Sequence, residues 1–312
     1  MKNIQKKIKA LWSWYGTWSK ESMMGELSFG IAKISIALII VLIVNNAFFI
    51  EGRLYDPTGA SRKESASTTP TEDSDTAMDN NCSVVGINLH GTIMTYIPMH
   101  SEGDASFDYD SIASEEIIGK IDQANSNPNI QAILVEVDSV GGSPVAGNEL
   151  ENAIRTSKKP VVAMIRDNGA SAAYLAISGA SKVFAAKSSN VGSIGVTSSY
   201  LSNVKSNEKN GYTYEQLSIG KYKDAGSQDK PLTDEERALI MRDTTIIYDD
   251  FVDTVAKNRG LMIDEVKEIA DGSTVLGSQA KMLHLIDEIG GIDDVEKYLQ
   301  ETMGVAPTIC FE

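Results

Sequence analysis

Short apolar runs alternate with stretches of helical spacing across most of this chain from residue 82 onward. Segments 84–89, 92–96, 132–137, 161–165 and 182–185 are dense in Val, Ile, Leu and Ala, as strands buried on both faces require. Between them, 111–124, 145–157 and 171–178 place apolar residues every three or four positions, and 233–259, 263–270 and 278–283 do so further on. Strand, helix, strand in this order predicts parallel pairing through right-handed crossovers, an α/β fold. No internal repeat is visible.

The N-terminal pattern is of another kind. Residues 31–50, IAKISIALIIVLIVNNAFFI, approach the ~20 apolar positions that cross a bilayer core and predict one transmembrane helix. Lys33 can snorkel at its near end, and Trp12, Tyr15, Trp14 and Trp18 precede it as an interfacial anchor would. Lys2, Lys6, Lys7, Lys9 and Lys20 have no acidic counterpart in the first twenty residues, so the N-terminus is expected in the cytoplasm. The rest is then extracytoplasmic (periplasmic), held on the cell (inner) membrane by a single pass in contact with lipid. A cleaved signal peptide is the competing reading, but the basic region is long and no A-x-A site follows the apolar run. Ser, Thr, Asp, Asn and Pro dominate the next stretch, which cannot bury enough surface to order itself. The expected layout is a basic and aromatic segment at 1–30, the span at 31–50, a flexible linker at 51–81, a folded domain at 82–304 and a tail at 305–312.

Charge narrows the partners. The net charge is −15, and with five lysines in the leading segment the remainder is more acidic still. Such a body argues against nucleic acid.

Candidate chemistry centres on Asn168-Gly169-Ala170-Ser171-Ala172-Ala173-Tyr174, where a serine opens a helix of small residues. A serine needs a base, yet the chain has only His90, His100 and His284, none in a comparable setting. A lysine can substitute when burial disfavours its ammonium form. Gly220-Lys221-Tyr222-Lys223-Asp224 offers Lys223 or Lys221. After the strand at 132–137, Asp138-Ser139-Val140-Gly141-Gly142-Ser143 places two glycines where backbone amides can approach a substrate; with the Ala172 amide they are candidates for an oxyanion hole. Asn190-Val191-Gly192-Ser193-Ile194-Gly195 frames a second hydroxyl, Ser193, that could orient a lysine amine. Taken singly, each motif has a plain reading: a helix cap, a solvated lysine, a loop, a tight turn.

Taken together and in order, they resemble the signal peptide peptidase A family of Ser/Lys membrane peptidases in its short, single-unit form. The resemblance covers about residues 84 to 300 and also includes Lys159-Pro160-Val161-Val162-Ala163, Ala270-Asp271-Gly272, Gly277-Ser278-Gln279-Ala280 and Leu285-Ile286-Asp287. It implies a Clp protease/crotonase-like βαβ superhelical core preceded by the N-terminal transmembrane helix. It also implies Ser171 as nucleophile, Lys223 as general base and Ser193 as the group that positions the lysine. Family members form ring or dome oligomers in which a serine meets the neighbour's lysine, and they clear remnant signal peptides and other membrane-associated peptides. No metal and no cofactor is required. Two departures stand out. Ala172-Ala173 replace the Gly-Gly common after the serine, and Val140 replaces a proline; neither change removes a catalytic atom.

Two rivals remain. One is a membrane-tethered, catalytically inactive oligomeric scaffold that binds peptides without cutting them. The other, a crotonase-like acyl-CoA enzyme, needs no serine–lysine pair and would want a basic nucleotide site. Cys82 and Cys310 bracket the folded body. A single disulfide and two unpaired or intermolecular thiols are equally open, and neither cysteine sits in a catalytic pattern.

Overall fold

The computed structural model describes residues 82–97 and 111–312. The segments expected at 1–30, 31–50 and 51–81 lie outside the described residues; among those described, no helix is long and apolar enough to cross a membrane.

The fold is mixed α/β around a largely parallel sheet. In chain order the elements are β1 (Val84–Met94), β2 (Ser111–Ala113), α1 (Ser114–Ser126), β3 (Ala132–Gly142), α2 (Pro144–Arg155), β4 (Val161–Ala170), α3 (Ala172–Ser178), β5 (Lys182–Ala185), β6 (Asn190–Gly192) and α4 (Val204–Lys209). They continue with α5 (Asp234–Arg259), α6 (Ile263–Ile269), β7 (Thr274–Leu276), α7 (Gly277–Met282), β8 (Glu288–Ile289), α8 (Ile292–Met303) and β9 (Ile309–Phe311). The main sheet runs β2-β1-β3-β4-β5-β8, with β6 beside β4, β7 beside β6 and β9 beside β1. Every pairing is parallel except β6 with β7.

Side-chain alternation explains why the strands read as continuous apolar runs. Val85, Ile87, Ile133, Val135, Ala163 and Ile165 face the larger core with α1, α2, α3 and α5, whereas Val84, Ala132, Leu134, Val162 and Met164 face Val295 and Leu299 of α8. On both sides the first halves of the strands are covered by helices; further along, the α8 side turns polar at His90, Glu136 and Arg166.

Differences from the sequence reading have local causes. The strands expected at 84–89 and 92–96 form one strand, β1, which passes through Gly91 at φ +77° with a register shift between His90 and Thr92. The helix expected from 111 begins at Ser114, because Ser111–Ala113 pair with β1 first. β3 and β4 run past their apolar runs into polar residues, since Ser139 pairs with Gly169 and Asn168 with Asn190. Residues 305–312, expected as a tail, carry β9, and Cys310 is disulfide-bonded to Cys82 with a Cα–Cα separation of 5.9 Å. That extension of β3 and β4 is what builds the site.

Candidate active site

Ser171 sits between strand and helix. β4 ends at Ala170, α3 starts at Ala172, and Ser171 joins them at φ 52°, ψ −127°. A non-glycine residue there costs about 1–3 kcal/mol and persists only where its surroundings fix it. Here its N–H donates to the Gly192 carbonyl at 2.7 Å, while its own carbonyl accepts from Leu175 N–H at 2.9 Å. A sharp strand–serine–helix turn is the geometry that lifts a nucleophilic hydroxyl clear of a sheet.

The glycine pair closes one side. A Cβ on Gly141 would lie 2.7 Å from Ser171 Cβ and 2.9 Å from Ala172 N, and a Cβ on Gly142 would meet Ile93 O at 2.1 Å. Only glycine lets β3 come this close to Ser171 at position 141 and to β1 at position 142. The two amides differ, however. Gly141 N–H donates to Ser139 Oγ at 3.1 Å, and that hydroxyl donates on to Gly91 O at 2.6 Å. Gly142 and Ala172 line the cavity beside Ser171. As the first residue of α3, Ala172 has an N–H with no intrahelical partner.

Ser193 lies across the same cavity at φ 50°. Its N–H donates to Ser273 O at 3.0 Å and its hydroxyl to Gly272 O at 2.8 Å, which leaves the Oγ lone pairs to accept from an incoming donor. Of three non-glycine residues with positive φ among those described, Ser171 and Ser193 share this cavity.

The cavity measures about 720 Å³. Leu175 and Phe251, both buried, supply apolar wall together with Val196 and Ile247, and Tyr248 donates its hydroxyl to Ala270 O at 3.0 Å. Asp271 is the one acidic residue lining it, its carboxyl held below the ordinary aspartate range first by the Ser273 hydroxyl and then by the Ser273 amide. No Lys, Arg or His among the described residues lines it. Nor do any three or more His, Cys, Asp or Glu gather as metal ligands among those residues.

Both candidate bases lie in the segment between β6 and α5, where α4 is the only regular element. Lys223 is exposed, in a turn whose amide donates to Gly220 O at 3.1 Å, and it does not line the cavity. Lys221 is tied to Glu235 at 2.7 Å and lies over the Tyr222 ring, and the Glu235 carboxylate, followed by Tyr222, pushes its ammonium above the usual lysine range. His90 pairs with Glu136 at 3.4 Å and His284 lines a separate hollow; His100 lies outside the described residues. The single chain therefore brings Ser171, Ser193, Gly142 and Ala172 together and leaves Lys223 apart.

Sequence reasoning passed over Asn148, Tyr248 and Phe251. Phe251 reads as ordinary core, and Asn148 carried one faint signal, a carboxamide four residues after Pro144 on a helix whose inward face is apolar.

Residues 153–306 match the family described as Peptidase family S49. A putative protease of Methanocaldococcus jannaschii is 32% identical over 209 residues, covering 66% of this chain and 67% of its own. A chloroplastic serine protease SPPA of Arabidopsis thaliana is 31% identical over 61% of this chain, which spans only 29% of that protein. A putative signal peptide peptidase SppA of Enterococcus faecium is 29% identical, covering 69% of this chain and 62% of its own. A solved ClpP1 mutant from Listeria monocytogenes aligns with 67% of this chain and 92% of its own at a TM-score of 0.45 and 14% identity. A strained serine facing a cavity and these relatives lead to one assignment: the chain belongs to peptidase family S49 and is a serine peptidase.

Proposed function

We propose that the chain is a membrane-anchored endopeptidase with a Ser171/Lys223 dyad completed between neighbouring copies in a homo-oligomer built on a Clp protease/crotonase-type core. One observation carries this reading. Ser171 is held in a strained turn over a cavity of about 720 Å³ that no basic residue of the described protomer lines. A nucleophile so placed needs a base delivered from outside, and the segment bearing Lys223 exposes Leu217 at 87% and Ile219 at 100%. Apolar side chains presented so fully belong at contacts with another chain.

In the assembled site, Lys223 of the adjacent copy takes the Ser171 proton as Oγ bonds to the substrate carbonyl carbon. The Gly142 and Ala172 amides receive the oxyanion, and Gly141 shapes the turn while its own amide stays on Ser139. As the C–N bond breaks, the lysine passes the proton to the departing amine. Neutral again, it takes a proton from water as the water oxygen bonds to the acyl carbon, and hands that proton to Ser171 Oγ as the ester C–O bond breaks. Ser193 accepts from the amine and fixes its direction. Enclosure between two copies strips water from the amine, which disfavours the ammonium form.

Residues 31–50 anchor the chain, the catalytic domain faces outside the cytoplasm, and the substrates are remnant signal peptides and other membrane-associated segments. The Cys82–Cys310 disulfide fits an oxidising compartment.

Co-expression tests the assembly directly. Ser171→Ala and Lys223→Ala each reduce peptide hydrolysis by about 10³-fold or more. Co-expressed together, each supplies what the other lacks, and about a quarter of the sites in a randomly mixed ring recover. Mixed oligomers as inactive as the parents would exclude a shared site. A wild-type oligomer that hydrolyses nothing would leave the peptide-binding scaffold.

A further inference from the structure

The polar groups lining the cavity beside Ser171 are nearly all engaged within the protein. The Tyr248 hydroxyl donates to Ala270 O, the Ser193 hydroxyl to Gly272 O, and Thr244 donates to Ser198 Oγ at 2.8 Å. Asp271 holds Ser273, and Thr197 meets Ser199 at 3.3 Å. Apart from Ser171 itself, Asn148 is the cavity-lining polar side chain without a hydrogen-bond partner among the described residues, and it is half-buried.

Its position follows from α2. Ser143 caps that helix and Pro144 opens it, so Pro144 and Asn148, one turn apart, share the edge that lines the cavity. Gly147 seats the helix against the nucleophile turn, since a Cβ there would lie 3.0 Å from Ala172 O and 3.1 Å from Ala172 Cβ. Asn148 is thus the next residue after one in contact with the neighbour of Ser171. Among the other residues lining that cavity, Leu175, Phe251 and Ile247 offer no polar group.

A carboxamide carries two donors and an acceptor able to take two bonds. When an apolar substrate side chain expels water from the cavity, these are left unpaired; a polar one restores them. Sites built around such a group reject the analogue that lacks the partner far more strongly than an apolar pocket rejects a missing methylene. Asp271, which lines the same cavity, has its carboxyl held below the ordinary range, so it is charged and repels carboxylates.

We infer that Asn148 makes this peptidase select, at the substrate residue that enters the cavity beside the scissile bond, an uncharged side chain ending in a carboxamide or hydroxyl. This rests on the peptidase reading of Ser171 and names its substrate class: extended peptides with Asn, Gln, Ser or Thr at that position.

Near-isosteric substrates test it. Fluorogenic peptides that differ only by Asn against Leu, or Thr against Val, on the acyl side of the cleaved bond are compared with the full chain. The expected wild-type preference in kcat/KM is about tenfold or more for the polar member, less than for a fully buried site because Asn148 is half-buried. Asn148→Leu is expected to erase or reverse that ratio, and Asn148→Gln to keep its direction. A ratio taken within one variant cancels any loss of folded enzyme, so a merely structural role would leave it unchanged. Cleavage of both members at a ratio unaltered by Asn148→Leu and Asn148→Ala, with Ser171 still labelled by a serine-reactive probe, overturns the Asn148 assignment alone. Wild-type protein that cleaves neither and is not labelled at Ser171 overturns the peptidase reading and this inference with it.

Discussion

The walls that hold Ser171 and the segment that holds Lys223 are built on opposite principles. Around Ser171, β3, β4 and β6 meet in register, Ala170, Gly141 and Gly192 are buried, and backbone hydrogen bonds fix the serine on both sides. Between Ser193 and Thr233 the chain forms one short helix, α4, with no buried residue, and leaves Leu201, Tyr212, Leu217 and Ile219 in solvent. The first region is complete within one chain. Beyond Ile194, which is buried in the core, the second leaves large apolar side chains exposed, as the proposed contact with a neighbouring copy requires. In the proposed mechanism this contrast assigns the preorganised serine to one chain and leaves its base to be supplied by a neighbouring copy.

Breaking that second region gives the largest expected effect after loss of Ser171 or Lys223 themselves. Ile219→Asp places a charge where an oligomer contact is proposed, at a residue 100% exposed in the protomer. Activity is expected to fall by about 100-fold or more as the oligomer dissociates, while unfolding of the protomer shifts by no more than ~0.5 kcal/mol, as for an exposed site. Sedimentation and peptide hydrolysis measured together check this. An Ile219→Asp protein that is monomeric yet fully active would place the base inside one chain.

The same contrast explains what the sequence discloses. The apolar runs of β3 and β4 locate the sheet because buried parallel strands are continuous in Val, Ile and Leu, and Ser171 stands out because it opens a helix of small residues soon after such a run. Missed are features that depend on close approach. Nothing in the residue pattern says that Ser139 takes the Gly141 amide, or that Asn148 ends without a partner. β9 escapes because three residues after a helix carry no period, and its place is set by Cys82, Cys310 and the packing of Phe311 over Gly86. Helix α8 at Ile292–Met303 went unread too, although Val295 and Leu299 form a second, smaller core with Val84, Leu134 and Val162.

The rigid half can be loosened separately. The disulfide joins residues 228 positions apart and pins β9 to β1. Cys310→Ser is expected to lower stability by about 5 kcal/mol in the chain-entropy account, with Ser171 still reactive in what remains folded. Denaturant midpoints of oxidised and reduced wild type, beside the variant, check it. Equal midpoints for all three would show that β9 contributes little to holding the sheet.

A smaller effect probes where the exposed segment is fastened. Lys230, at its end, pairs with Glu236, which also caps α5 by accepting from Thr233 N–H at 3.1 Å. Lys230, and after it the Thr233 amide, holds the Glu236 carboxyl below the ordinary range, and Glu236 in turn raises Lys230. A depressed carboxylate stabilises the fold above its unfolded pKa of ~4.3, and that contribution is lost as pH falls through the lower folded value. The raised lysine contributes below ~10.4 and loses its share as pH rises through the higher folded value. Glu236→Gln should therefore unfold at lower temperature than wild type at pH 7, with the gap closing below about pH 4. A gap that stays constant down to pH 3 would remove the ion pair from the account.

The smallest effect is the sharpest test of the comparison, because it separates two lysines that differ by one intervening residue. Lys221 is committed to Glu235 at 2.7 Å on the surface, and that contact raises its ammonium further from the neutral form a base requires. Both partners are well exposed, with side chains 65% and 64% accessible, so the pair itself adds little to stability. Lys221→Ala should leave peptide hydrolysis within about twofold of wild type, against the near-complete loss expected for Lys223→Ala. If Lys221→Ala proved as inactive as Lys223→Ala, then assembly would have to pull Lys221 off Glu235, and the double variant Lys221→Ala/Glu235→Ala would distinguish a lost base from a stranded carboxylate by restoring activity only in the second case.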